Sequence, residues 1–459
     1  MSSGRSARLF AVAWRLVTAL ALAVAACGGT VSVAQADSVI GGGISRAEVI
    51  ARVQDWYHRS PALAYDESRT PGSLVSDLDG TAKYGPDCSG MVSMAWHLRP
   101  GSAGGLNTNS LPSVATQIST DDLQPGDLLD DVADGHAIVF DSWRPDHVHF
   151  SYYSFGASPM LYYDGGSGRT EGPLGSFSSG AELAGWPASH YAAYRYDNIV
   201  DARVGVLGAD GSVLVKDGGL SAGWHTEYPG AKQVVLSGDR IGVLTTDGTA
   251  LVKEGGVSAG WHTEHTGVTQ LALSGDRIGV LTTDGTALVK EGGVSAGWHT
   301  EYHGVKELTL DSDRVGVLTA DGKALVKEGS LGAGWHTEYS GVKQLGLAGD
   351  RVGVLTDGGK ALVKEGSLSA GWHTEYSGVK QLALTARRIG VLTTGGVALV
   401  KEGGLSSGWH SEYTGVSALT LGGYRIGVLS TGGKALVKEG ELSATWHTEY
   451  TGVKQIALS

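Results

Sequence analysis

From Arg203 to Ser459 short apolar runs and turn residues alternate in a fixed order. RVGVL or RIGVL begins at Arg203, Arg240, Arg277, Arg314, Arg351, Arg388 and Arg425, 37 residues apart each time. A repeat of this length implies a stacked or radial architecture. In the unit from Arg240 to Asp276, RIGVL and ALVKE are joined through Asp247-Gly248, a hairpin signal because such turns need positive φ. WHTE and VTQLALS supply two more strands. Four strands of about five residues with short turns fill about 35–40 residues, so one unit makes one four-stranded antiparallel sheet. An open array needs end repeats with polar outer faces, yet the last repeat here is as regular as the middle ones. The stretch before Arg203, YRYDNIVDA, holds no copy of GVKQLALS, whereas the chain ends on GVKQIALS, Gly452 to Ser459. The C-terminal strand should therefore complete the first blade of a closed, all-β, seven-bladed propeller over residues 201–459.

Upstream the period changes. In ISRAEVIARVQDWY, Ser45 and Glu48 form a capping box, and Val49, Ile50, Val53, Trp56 and Tyr57 recur at helical spacing. DCSGMVSMAWHL reads as a second helix with Asp87 as N-cap and a stripe of Met91, Val92 and Trp96. LQPGDLL, GHAIVFDSW and DHVHFSYYSF follow as strands, so residues 37–200 form a separate α+β domain. At the start of the chain Arg5, Arg8 and Arg15 precede LVTALALAVAA, too short for a membrane span and flanked like a signal peptide. Residues 1–36 are read as a leader, and the protein as secreted or associated with the cell wall. Two cleavage sites compete: VAAC would leave Cys27 as a lipid anchor, and AQA before Asp37 is an ordinary site. No second apolar stretch is long enough to span a membrane.

Charge and composition narrow the partners. The net charge of -12 argues against nucleic acid, which demands clustered Lys and Arg. The 72 glycines carry no low-complexity tract and belong to many tight turns. With Cys27 in the leader, Cys88 has no disulfide partner. It falls in the first turn of the second helix, where unpaired N–H groups favour thiolate over thiol, so its pKa is expected below the free value of about 8.5. His136 heads the next apolar strand and is the candidate base. His147 and His149 lie on one face of the strand after it, and His149 is taken as the orienting group. Helix-borne cysteine, strand-borne histidine and a polar group on the following strand make a papain-like order. The bland alternative is a buried structural cysteine. His58, His97 and His190 are read as surface or core histidines, and Asp130, Asp131 and Asp134 as a solvated loop. No metal or cofactor is required.

The propeller has its own candidates. Trp224, Trp261, Trp298, Trp335, Trp372, Trp409 and Trp446 are expected to fill the wedges between blades. The sharper reading has some of them offering a face to a sugar beside His and Glu, with affinity raised by multivalency. In WHTE, strand alternation places His262 and Glu264 together and Trp261, Thr263 and His265 opposite. Successive copies fall on different blades, so they build no shared metal site. The Lys-Glu pair of each VKEG is read as a solvated hairpin edge.

Two resemblances extend this reading. DCSGMVSMAWHL, LQPGDLL and GHAIVFDSW resemble the NlpC-type papain-like cell-wall cysteine peptidases, across most of Ile44 to Val200. The resemblance implies Cys88 as nucleophile, His136 as general base, and Tyr84, Asp87 and Ser89 at the substrate site. It also implies peptidoglycan stem peptides as substrate, with the D-glutamyl to diaminopimelate bond as the usual target. The chain departs from the family at the third position, where the segment after His136 has no Asn, Gln or Glu. The repeats resemble tectonin-type repeats, which implies a propeller that binds surface glycans. The rival functions are an acyltransferase or amidase of the same fold, and a surface lectin with an inactive papain-like domain.

Overall fold

The computed structural model describes Ser38 and residues 40–459 apart from Asp79, Thr81, Pro145, Asp201, Ser312 and Glu441. The expected leader, with Cys27 and both cleavage sites, lies outside the described residues. Among the described residues no helix is long and apolar enough to cross a membrane.

From Arg203 onward the chain forms seven four-stranded antiparallel sheets arranged as a β-propeller. Each blade straddles two repeats. Arg277–Thr282 pairs on one side with Val268–Ser274, from the preceding repeat, and on the other with Ala287–Glu291; His299–Tyr302 forms the outer edge. Strands equivalent to Val268–Ser274 meet their counterparts in neighbouring blades, which places them nearest the axis. The offset leaves the first blade without an inner strand until the chain ends. Val453–Leu458 fills that place, with Leu458 opposite Val204 and Ile456 opposite Val206. Ser459 fastens the seam, its N–H donating to Arg203 O at 3.0 Å and its Oγ accepting from Arg203 N–H at 2.9 Å.

Between blades the packing is apolar, and the glycine of RIGVL makes it possible. A Cβ on Gly279 would stand 2.8 Å from Leu308 Cδ2 of the next blade. Leu308 and Leu310 are fully buried there, each contributing about 2 kcal/mol by area. Polar ties then join neighbours. The Gln381 amide accepts from Leu419 N–H at 2.9 Å and donates to Leu419 O at 2.8 Å. Arg240 bonds Glu254 in its own blade and donates to Gly275 O and Gly292 O in the next.

The lysine of VKEG is not on a solvated edge. Lys216, Lys253, Lys290, Lys327, Lys364, Lys401 and Lys438 are at most 2% exposed. Each pairs with the glutamate of WHTE or WHSE in the adjacent blade, from Lys216–Glu449 round to Lys438–Glu412. Burial makes the pair obligatory, because either charge alone would be unsatisfied in the interior. Each ammonium also stands 5.0–5.3 Å over the tryptophan ring of its own blade. Those tryptophans meet an aromatic of the preceding blade edge-on, as Trp261 meets Tyr228 at 5.6 Å, and so occupy the wedges as expected. The alternation expected in WHTE fails: His262 and Thr263 are both exposed and Glu264 is buried. A register shift between Ala250 and Leu251 on the partner strand breaks the two-residue period.

Before Arg203 the described residues build two α-helices, α1 (Arg46–Arg59) and α2 (Cys88–Ala95), on a mixed eight-stranded sheet. Its main strands are β1 (Ala115–Ile118), β2 (Leu128–Asp131), β3 (His136–Trp143), β4 (His149–Ser154), β5 (Leu161–Tyr163) and β6 (Ala192–Tyr196), in the order β1-β6-β2-β3-β4-β5. Ser45 Oγ accepts from Glu48 N–H at 3.2 Å and starts α1. Val53, Trp56, Met91, Val92 and Trp96 pack against Leu128, Ala137 and Val139 on one face of the sheet. Ile138, Phe140, Phe150 and Tyr152 form a second core on the other face.

Candidate active site

Cys88 opens α2 because Asp87 caps it: the Asp87 carboxylate accepts from Gly90 N–H at 2.8 Å. Position 90 must be glycine, since a Cβ there would lie 1.9 Å from Gly85 O. Arg69 clamps the cap. Its guanidinium bonds both Asp87 oxygens and reaches Ser89 Oγ at 2.7 Å and Leu106 O at 3.1 Å. Arg69 itself holds a φ of +46°, a conformation that this set of bonds sustains.

The Cys88 sulfur reaches the head of β3. It lies 3.7 Å from Gly135 O and takes the Ala137 N–H, so it touches the backbone on both sides of His136. The thiol is 5% exposed. Burial pushes it up to about 11, with the Asp87 charge adding to the rise, while the N–H groups of Ala137 and Ser89 act against it. The lowered pKa expected at a helix start is therefore reversed, because α2 is a short, wholly buried helix and loss of water around sulfur outweighs its end dipole.

His136 is 2% exposed, and burial pulls its pKa down to about 4. Both groups are thus neutral at pH 7. The imidazole stacks on Trp186 at 4.2 Å between centroids and 16° between planes, and Tyr191 meets it edge-on at 6.4 Å. Its Nε2 hydrogen-bonds Ser154 Oγ at 2.9 Å. Ala137 and Val139 join the α2-facing core and Ile138 and Phe140 the opposite one. Strand alternation puts His136 with the latter. Sulfur and imidazole therefore adjoin the same strand end from different sides of its backbone, and the thiol points at Gly135 O.

His149 does not orient His136. It stands at the far end of β4, 48% exposed on its side chain, with Nδ1 at 2.7 Å from Asp146. His147 stacks on Trp143. The residue that faces His136 is Ser154, for a topological reason: β3 and β4 are antiparallel, so the tail of β4 returns beside the head of β3. Tyr84 is fully buried with its hydroxyl donated to Leu98 O at 2.6 Å, and Asp87 and Ser89 are engaged by Arg69. None of the three offers a free surface to a substrate. A cleft of about 650 Å³ lined by Asp55, His97, Arg314, Arg351 and Arg387 lies away from Cys88.

Of the loop expected to be solvated, Asp134 is exposed, whereas Asp130 and Asp131 belong to β2 and are buried. Asp130 is 1% and Asp131 0% exposed. Burial and then the Asp131 charge push Asp130 up to about 7.

No protein-family model and no curated protein matches the chain. Among solved structures it is similar to Prp20p from Saccharomyces cerevisiae, with 8% identity and a TM-score of 0.41 over 56% of this chain and 86% of that one. Hsv2p from Kluyveromyces lactis shares 12% identity at a TM-score of 0.39 over 56% and 97%. YCF48 from Cyanidioschyzon merolae shares 15% at 0.38 over 52% and 96%. All three likenesses fall below a TM-score of 0.5, and the β-propeller stands on its own seven sheets and closing strand.

Proposed function

We propose that the protein is a secreted papain-like cysteine hydrolase that cleaves peptide or amide bonds in bacterial peptidoglycan, with the propeller as its surface-binding module. The reading is supported by a helix-initial cysteine whose sulfur lies 3.7 Å from Gly135 O, next to His136 in the chain, and by a histidine whose Nε2 is fixed by Ser154 and whose ring stacks on Trp186, the two side chains lying on opposite faces of the strand end. With Nε2 engaged, Nδ1 is the nitrogen left to take a proton. Because the thiol is held above pH 7 and the imidazole below it, the proton stays on sulfur until substrate arrives. Rotation of the Cys88 side chain alone would not carry sulfur past the β3 backbone, so the reading requires the turn at Gly135 to shift and bring thiol, imidazole and scissile carbonyl to one side. Sulfur attacks the carbon as its proton passes to His136, and the imidazolium returns that proton to the leaving amine. Water then hydrolyses the thioester and frees the cysteine. Of the N–H groups at the start of α2, Gly90 and Met91 are taken by Asp87, and the Cys88 N–H is the donor proposed for the oxyanion.

For the propeller, the ring tryptophans are half-buried against lysine and aromatic neighbours, and the outer strands expose a His and Thr pair, such as His262 and Thr263, beside them. A weak glycan contact repeated on seven blades would gain by avidity.

The test is release of stem-peptide fragments from purified cell walls by the wild-type chain, Cys88→Ala and His136→Ala. Loss of release in both variants with retained wall binding supports the hydrolase. Equal release by Cys88→Ala refutes it, and wall binding without release by the wild type leaves a binding protein with an idle thiol.

A further inference from the structure

We propose that Asp131, Asp134 and His190 bind one divalent transition-metal ion beside His136. Asp131 ends β2, Asp134 lies in the turn that leads to β3, and His190 closes the single helical turn Ala188–His190. His190 Nδ1 is 2.8 Å from Asp134 Oδ2 and 3.6 Å from Asp131 Oδ2, and the donor atoms of all three residues fall within 4.8 Å of one another. An ion held by three such donors at about 2.0–2.2 Å separates them by roughly 3.4 Å in tetrahedral geometry. The two separations seen here bracket that value.

The independent observation is the buried carboxylate. Asp131 has no solvent exposure, and its Oδ2 has no hydrogen-bond partner while aimed at His190. Its other oxygen accepts from Asp134 N–H at 3.1 Å. Buried carboxylate charge is retained in proteins when it is paired or coordinates a metal. The imidazole is one answer to that charge, and a dication is the more complete one. Asp134 and His190 are 42% and 45% exposed on their side chains, which leaves an open side for entry and for water ligands.

The donor set narrows the ion. Calcium takes six to eight oxygens, whereas two carboxylates with one imidazole suit manganese or zinc. The ion would join the turn before His136 to the segment that follows Trp186, and so fix the two rings stacked at 4.2 Å. Binding does not depend on whether Cys88 is catalytic.

The experiment titrates the metal-free full chain with Mn2+, read by loss of the free-ion electron paramagnetic resonance signal. One Mn2+ per chain is expected, with affinity at least tenfold weaker in Asp134→Asn and in His190→Gln, and unchanged in His299→Gln, which breaks the propeller's own pair with Glu301. The two site variants change exposed side chains, and circular dichroism checks that they fold. No Mn2+ bound by the wild-type chain, or equal binding by both site variants, overturns the proposal and leaves a histidine–carboxylate ion pair.

Discussion

Glu307 occupies the place that glutamine holds in most blades, and replacing it tests how neighbouring blades are joined. Gln233, Gln270, Gln344, Gln381 and Gln455 each donate an amide N–H to a carbonyl of the next blade. A glutamate can accept from the backbone, as Glu307 does from Leu345 N–H, but it can return a proton to the Leu345 carbonyl only when protonated. Burial pushes its carboxyl up to about 8, against that hydrogen bond and the Lys306 charge. In the unfolded chain the group ionises near 4.5. Stability from the neutral form is therefore complete below about pH 4.5 and is lost as pH rises towards 8. At about 1.4 kcal/mol per unit, roughly 2.5 units of mismatch at pH 7 give an upper figure of about 3 kcal/mol. Glu307 keeps partial solvent contact, which lowers the net cost to about 1–2 kcal/mol. Glu307→Gln should leave thermal unfolding unchanged near pH 4 and raise the melting temperature by about 2–6 °C at pH 8. Melting of both proteins across that range is the assay. A gain independent of pH, or a loss at pH 8, would refute the account of Glu307 as a protonated stand-in for glutamine.

Two further outcomes are expected. His136 is held neutral down to about pH 4 when folded, so its contribution is complete above about pH 6.5 and lost as pH falls towards 4. Urea unfolding of wild type and His136→Gln should converge by about 2–3 kcal/mol between pH 7 and pH 4.5, and parallel curves would contradict the burial argument. If Ser154 orients the base, Ser154→Ala should lower wall-hydrolysis kcat at least tenfold while His149→Ala stays within twofold; the reverse order would restore His149.

The Lys-Glu pairs show why local reading of the repeat had a limit. A lysine and a glutamate side by side in VKEG look like a hairpin edge, yet the lysine finds its partner in the preceding blade and the glutamate finds an arginine in its own. No spacing along the chain marks that exchange. Ser154 was within reach, since antiparallel return places a strand's tail beside its neighbour's head. The expectation of His149 rests on its distance along the chain from His136, and distance alone does not say which end of β4 returns beside the head of β3.

The 37-residue period, the Asp-Gly turns and the missing inner strand before Arg203 favour a closed β-propeller over a solenoid, and Val453–Leu458 completes the first blade as that reading expects. The cap at Asp87 likewise puts Cys88 at a helix start. Tertiary structure alone decided the protonation of that thiol and of His136, the burial of the Lys-Glu pairs between blades and the burial of Asp131. Each depends on how much water the rest of the fold excludes, and desolvation is a property of the surroundings that no local pattern of residues encodes.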